Sequence, residues 1–126
     1  MKTVVITGGG GYIGGQTAIY FKEQGWNVTA IDRNPQFDHL EPYIDNYILD
    51  NFVSISGLSA LHTADVVVHC AGSSLVGPSI KDPSAYYENN FIATKCMLDY
   101  MVDNKLFPKI IFSSSAAVYG NPLMTP

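Results

Sequence analysis

Short β-branched runs alternate along this chain with longer mixed segments. Residues 3–7, and Val66-Val67-Val68 within residues 65–70, are near-continuous apolar runs, the pattern of strands buried on both faces. Residues 27–31, 47–49 and 109–112 are shorter strands of the same kind. Between them, residues 12–24 have helical spacing, with Ile13, Ala18 and Phe21 among the apolar positions and Gly25 placed to end the helix. Residues 52–62 form a weaker helix, interrupted by Gly57. Asp82 is a candidate N-cap and Pro83 a first helical residue, opening a long helix to about Asn104 with Tyr86, Asn90, Ala93 and Met97 on one face. Residues 33–45, with Pro35 and Pro42, predict loop and at most one turn of helix. Residues 71–80, with Gly72, Gly77 and Pro78, predict a polar loop.

Strands alternating with helical segments predict an α/β fold, a doubly wound parallel sheet with helices on both faces. Right-handed crossovers give the strand order 3-2-1-4-5. In such sheets ligands bind at the carboxyl ends of the strands. That singles out the 71–80 loop after the fourth strand.

Composition narrows the function. A length of 126 residues suits one domain, and 47% hydrophobic residues suffices for a core. Seven Lys and Arg, unclustered in a chain of net charge −4, offer no footprint for nucleic acid or an acidic membrane surface. No apolar run reaches the ~18 residues of a membrane span. The run after Met1-Lys2-Thr3 is too short for a signal peptide, so a cytoplasmic protein is expected. Cys70 and Cys96 are not in a CxxC pattern, and His39, His62 and His69 have no metal-ligand spacing with them. Free thiols and no metal site are expected.

The informative stretch is Thr7-Gly8-Gly9-Gly10-Gly11-Tyr12-Ile13-Gly14-Gly15. Strand, glycine turn and helix can hold a dinucleotide pyrophosphate: glycines let the backbone approach, and the helix N-terminus presents free N–H groups and a partial positive charge. Two registers fit, Gly9-x-Gly11-x-x-Gly14 and Gly8-x-x-Gly11-x-x-Gly14, and spacing alone does not choose. A second strand ends in Asp32 at about the 20-residue separation of a carboxylate that binds the adenosine ribose hydroxyls.

These residues occur in order with Asp50, His69-Cys70-Ala71-Gly72, Tyr86-Tyr87-Glu88-Asn89-Asn90 and the run from Phe112 to Gly120, Phe-Ser-Ser-Ser-Ala-Ala-Val-Tyr-Gly. Together they resemble the UDP-glucose 4-epimerase branch of the extended short-chain dehydrogenase/reductases, over nearly the whole chain. The resemblance implies a Rossmann-type fold, incomplete here with about five strands, and a tightly held NAD. It implies inversion of carbon 4 of a UDP-hexose by removal and return of a hydride. It selects the Gly8, Gly11, Gly14 register, with Tyr12 and Ile13 in the same turn. Asp32 favours NAD, since a 2′-phosphate there would face a carboxylate; Arg33 softens that preference, and Asn34 follows. Asp50 and Asn51 resemble the adenine-contacting pair. Cys70, Ala71 and Gly72 would lie against the middle of the cofactor, and Asn89 resembles a helix residue that hydrogen-bonds it. Ser115 resembles the serine that hydrogen-bonds the sugar 4-hydroxyl, with Ser113 placing the cofactor. The helix over residues 83–104 resembles one that contributes to a homodimer face. Ser74 stands where these enzymes usually have a lysine, and Ala93 where a glycine is commoner.

Removing a hydride from an alcohol also needs a base for the hydroxyl proton. The resemblance implies a tyrosine with a lysine four residues later. None of Tyr12, Tyr20, Tyr43, Tyr47, Tyr86, Tyr87, Tyr100 and Tyr119 has one. The 126 residues are therefore expected to form the N-terminal part of an NAD-binding domain, without the substrate domain and unable to epimerise alone. A non-catalytic dinucleotide-binding module and another nucleotide-sugar enzyme remain alternatives. Dehydration is disfavoured because no acidic residue follows Ser115.

Overall fold

The computed structural model describes residues 1–73, 76–121 and 123. The anticipated sheet forms. Strands β1 (Thr3–Thr7), β2 (Asn27–Asp32), β3 (Asn46–Leu49), β4 (Val66–His69) and β5 (Lys109–Phe112) are parallel in the order β3-β2-β1-β4-β5. Register pairs Thr7 with Ile31 on one side and His69 on the other, and His69 with Phe112. The carboxyl ends of the three inner strands are thereby level.

Alternation along the inner strands divides the core into two layers. Val4, Ile6, Val28, Ala30 and Val68 face Ala18 of helix α1 (Tyr12–Glu23), with Leu40 and Ile44. Val5, Ile31 and Val67 face the other way, onto Phe52, Leu61 and the buried side of helix α5 (Ala93–Asp103), Ala93, Met97 and Met101. Both layers are needed because β1, β2 and β4 carry apolar side chains on both faces. Gly25, at φ +85°, follows α1 as anticipated. Beside the first layer, Lys22 Nζ bonds Asp45 Oδ1 at 2.6 Å while Asp45 Oδ2 accepts the Val28 N–H at 2.8 Å.

Three segments depart from the sequence reading. Within the expected 71–80 loop, Val76–Lys81 is a helix, α3. Pro78 is tolerated because it stands in the first turn, where its missing N–H is not needed, and its carbonyl accepts the Asp82 N–H at 2.9 Å. The helix from Pro83 is not uniform. It opens as α4 (Pro83–Tyr86), passes through a π-helical stretch at Tyr87–Ile92 and continues as α5. The Asp82 carboxylate caps its start by accepting the Ala85 N–H at 3.3 Å. The weak 52–62 helix contracts to α2 (Ile55–Ala60) and a 3-10 turn at Leu61–Thr63. Ser54 Oγ accepts the Gly57 N–H at 3.1 Å, so the cap fixes a later start. Residues 33–45 hold one 3-10 segment, Asp38–Tyr43. The expectation at Ser74 lies outside the described residues.

Candidate dinucleotide cleft at the carboxyl edge of the sheet

The turn after β1 is fixed by its neighbours. Gly8 has φ +69°, and a Cβ there would sit 2.8 Å from the Ala71 nitrogen. At Gly14 a Cβ would drive into the Gly8 carbonyl, so the start of α1 packs directly on the turn. Gly8 N–H donates to the Ile31 carbonyl at 2.8 Å, holding the turn to the end of β2. Gly9 packs into the sheet at Ala30 instead. The left-handed residue and the glycine beneath it therefore match the Gly8, Gly11, Gly14 register. Gly11 is the N-cap of α1, with no side-chain cap and no acidic residue in the first turn. The first N–H groups of this helix lack intrahelical partners and carry a partial positive charge.

A cavity of about 220 Å³ opens there, bordered by Gly8, Gly11 and Asp32. Arg33 and Asn34 continue that wall, Asp50 and Asn51 line it beyond the end of β3, and Cys70, Ala71, Gly72 and Asn89 form the wall beyond the end of β4. The sequence reading missed Ile31, Phe52 and Ala93, which form its apolar floor. Their apolar character gave no local signal, because core residues look the same. Tyr12 and Gly11 border a neighbouring hollow beside Phe37 and Leu40. Ile13 is 54% exposed on α1, and Gly14 lies buried under the turn. Ser113 and Ser115 do not border the cavity. Ser113 N–H donates to the His69 carbonyl at 3.1 Å, and Ser115 Oγ accepts the Ala117 N–H at 3.1 Å at the start of a 3-10 turn, Ala116–Tyr119.

The polar groups are held by short bonds. Asp32 Oδ2 accepts the Gly10 N–H at 3.0 Å and Oδ1 the Asn34 N–H at 2.9 Å. Each oxygen keeps a second acceptor position. The Asp32 carbonyl accepts the Asp50 N–H at 2.9 Å, joining the two acidic strand ends. Tyr47, which sequence reasoning passed over, donates its hydroxyl to the Asn34 carbonyl at 2.5 Å. Burial, with the Asp32 carboxylate nearby, pushes its phenol up to about 12, so it remains a donor. Beyond the end of β4, Ser73 N–H donates to Asn90 Oδ1 at 2.6 Å and Asn90 Nδ2 to the Ser73 carbonyl at 2.7 Å. Burial also raises the Cys70 thiol pKa, leaving it protonated.

This arrangement suits a dinucleotide. A backbone-lined turn and a helix N-terminus can take a pyrophosphate, and Asp32 can accept two hydroxyl donors beside them. Among the described residues there is no group of three metal-binding side chains, and no helix is long and apolar enough to cross a membrane.

Comparison with known proteins agrees with the geometry. The model of the NAD dependent epimerase/dehydratase family matches residues 4–126. A UDP-glucose 4-epimerase of Halalkalibacterium halodurans is 39% identical, over 98% of this chain and 37% of its own length. The UDP-glucose 4-epimerase of Bifidobacterium longum, solved with NAD+ and UDP, has a TM-score of 0.85 at 31% identity, covering 99% of this chain and 40% of its own. That of Brucella ovis, solved with NAD, has a TM-score of 0.87 at 29% identity, covering 100% of this chain and 39% of its own. The chain thus spans about two fifths of the length of these relatives. A strand–glycine turn–helix closed on Asp32, in a five-stranded sheet that the family model matches almost end to end, makes this chain a member of the NAD dependent epimerase/dehydratase family.

Proposed function

We propose that residues 1–126 are the NAD-binding portion of a UDP-hexose 4-epimerase, which interconverts UDP-glucose and UDP-galactose through a 4-keto intermediate. The observation that carries the reading is the Asp32 carboxylate at the end of β2, on the same cavity as the glycine turn. Asp32 would accept from the adenosine ribose hydroxyls, with Arg33 and Asn34 beside it. Gly8, Gly11, Tyr12, Ile13 and Gly14 would carry the pyrophosphate turn. Asp50 and Asn51 would face adenine, and Cys70, Ala71, Gly72 and Asn89 the middle of the cofactor. NAD would supply hydride acceptance and return. Ser113 would support the cofactor, and Ser115 would hydrogen-bond the 4-hydroxyl of the UDP-sugar.

The 126 residues contain no tyrosine with a lysine four positions on, so they supply no activated base for the hydroxyl proton. That observation keeps a second reading, a non-catalytic dinucleotide-binding module. Calorimetric titration with NAD and NADP, beside an assay of UDP-galactose turnover, tests both. NAD binding that Asp32→Ala weakens by about 10–100-fold, with no turnover, is expected of the chain. Absence of NAD binding overturns the cofactor assignment, and turnover above a Ser115→Ala control overturns the inactivity. Recovery of turnover in a longer chain favours the epimerase; binding without turnover there favours the module.

The reading also carries a partner. Tyr87, Phe91, Leu98 and Val102 are 68, 64, 40 and 65% exposed along the helix from Pro83. They form an apolar stripe beside the buried face of Ala93, Met97 and Met101, suited to a homodimer face. A clean monomer in light scattering would remove it. Free Cys70 and Cys96 agree with a reducing, cytoplasmic setting.

A further inference from the structure

His69 is 2% exposed and belongs to no part of the site described above. Its ring lies between two aromatic side chains, edge-on to Phe52 at 5.0 Å and stacked with Phe112 at 5.9 Å. Each nitrogen meets a threonine. Nδ1 is 2.5 Å from Thr7 Oγ1, and Nε2 is 2.8 Å from Thr94 Oγ1.

The surrounding bonds settle the direction of both contacts. Thr94 donates its only hydroxyl hydrogen to the Asn90 carbonyl at 3.0 Å. Toward His69 it can therefore only accept, which places a hydrogen on Nε2. With the neutral ring protonated there, Nδ1 is a bare acceptor and takes the Thr7 hydroxyl hydrogen. The Thr7 oxygen in turn accepts the Ala71 N–H at 3.2 Å. Thr7 is fully buried, so a hydrogen on Nδ1 would turn its hydroxyl away with no water to receive it. Burial also lowers the His69 pKa, in keeping with a neutral ring. The side chains packed on the ring, Phe52, Phe112, Thr7 and Thr94, are all uncharged.

The chain runs from the end of β1, through the end of β4, to the π-helical stretch. At both its ends it reaches the wall of the cleft beyond β4: the Ala71 N–H at one, and at the other Asn90, which grips Ser73 by both its N–H and its carbonyl. We propose that His69 is a positioning residue for the cleft: held as its neutral Nε2–H tautomer between Thr7 and Thr94, it ties residues 71–73 to Asn90 and sets the wall beyond β4 before a ligand arrives. The inference rests on the reading of the cleft as the NAD site, but its first test does not.

Ring ¹⁵N spectra of the ligand-free chain near neutral pH report the tautomer directly. The Nε2–H form is expected, and an Nδ1–H form or an imidazolium overturns the proposal. Thr7→Val and Thr94→Val, each beside its serine counterpart, then test the coupling by amide exchange of residues 71–73 and by NAD titration. The valine variants are expected to speed that exchange and to weaken NAD about tenfold, the serine variants to restore both. A folded valine variant with unchanged exchange and affinity overturns the proposal. If Thr7→Val does not fold, half-buried Thr94 supplies the decision. If the unaltered chain binds no NAD, the cofactor reading falls, and tautomer and exchange alone decide this one.

Discussion

β1 and β5 have similar apolar sequences and opposite fates. Val4, Val5 and Ile6 of β1 are 0% exposed, whereas Ile110, Ile111 and Phe112 of β5 are 43, 52 and 61% exposed. β1 lies between β2 and β4 with a packed layer on each face, while among the described residues β5 pairs with β4 alone. Position in the sheet, not residue type, sets the burial. The candidate site straddles the difference. The glycine turn and Asp32 stand on the covered side, whereas Ser113 and Ser115 extend from the exposed strand. Cofactor binding and the serine's role should therefore be separable by mutation.

The largest expected effect is at the turn. Gly14→Val should cost about 4 kcal/mol or more, because its Cβ meets backbone that cannot yield, and thermal unfolding should show lost cooperativity. Next, Met97→Ala should cost ~2–5 kcal/mol in denaturant unfolding, and Phe112→Ala under about 1 kcal/mol. Equal costs would erase the distinction between the covered and the open strand. Third, Asp32→Ala should weaken NAD by about 10–100-fold in calorimetry, through loss of charge-assisted hydrogen bonds.

A pH series sharpens the comparison further. His69 has a pKa lowered by burial, so the unfolded chain binds more protons once the pH falls below the ordinary 6.5. Stability should decline from there toward the folded value, by about 1.4 kcal/mol for each unit of lowering. Asp45 acts at lower pH. Burial works to raise its pKa, but hydrogen bonds from Lys22 and Val28 and the Lys22 charge outweigh it, so its contribution is lost as pH falls below the ordinary 3.8. His69→Gln should flatten the upper decline and leave the lower one. The smallest effect belongs to Ser115→Ala, which should change NAD affinity less than about twofold, since Ser115 only caps an exposed turn in the ligand-free chain.

Periodicity identified the strands and helix α1, because buried parallel strands are continuous apolar runs whose signal is local, and right-handed crossovers gave the strand order. Asp32 was legible for a related reason: it sits where an apolar run stops, at the separation from the glycine turn that suits a ribose-binding carboxylate, whereas Asp50 and the 70–72 segment stood out through the family resemblance. The 71–80 segment misled because glycine and proline usually mark loops, yet Pro78 falls where a helix tolerates it. The π-helical stretch at Tyr87–Ile92 left no mark in the spacing, since it adds one residue to a turn without changing which residues are apolar. Thr7, His69 and Thr94 are far apart in sequence, and nothing in their identity says that they meet.

By itself, the sequence determined a parallel α/β sheet, a glycine turn before a helix, and a carboxylate at the end of the second strand. These follow from local rules: which residues bury on both faces, which break a helix, and which permit a left-handed turn. Tertiary structure decided the rest. It singled out Gly8 as the left-handed residue, because Ile31 and Ala71 close on it from neighbouring strands. It placed Ile31, Phe52 and Ala93 under the cavity, joined His69 to two threonines, and left β5 uncovered. Each of these depends on which strands become neighbours, and neighbours are chosen by the packing of the whole sheet.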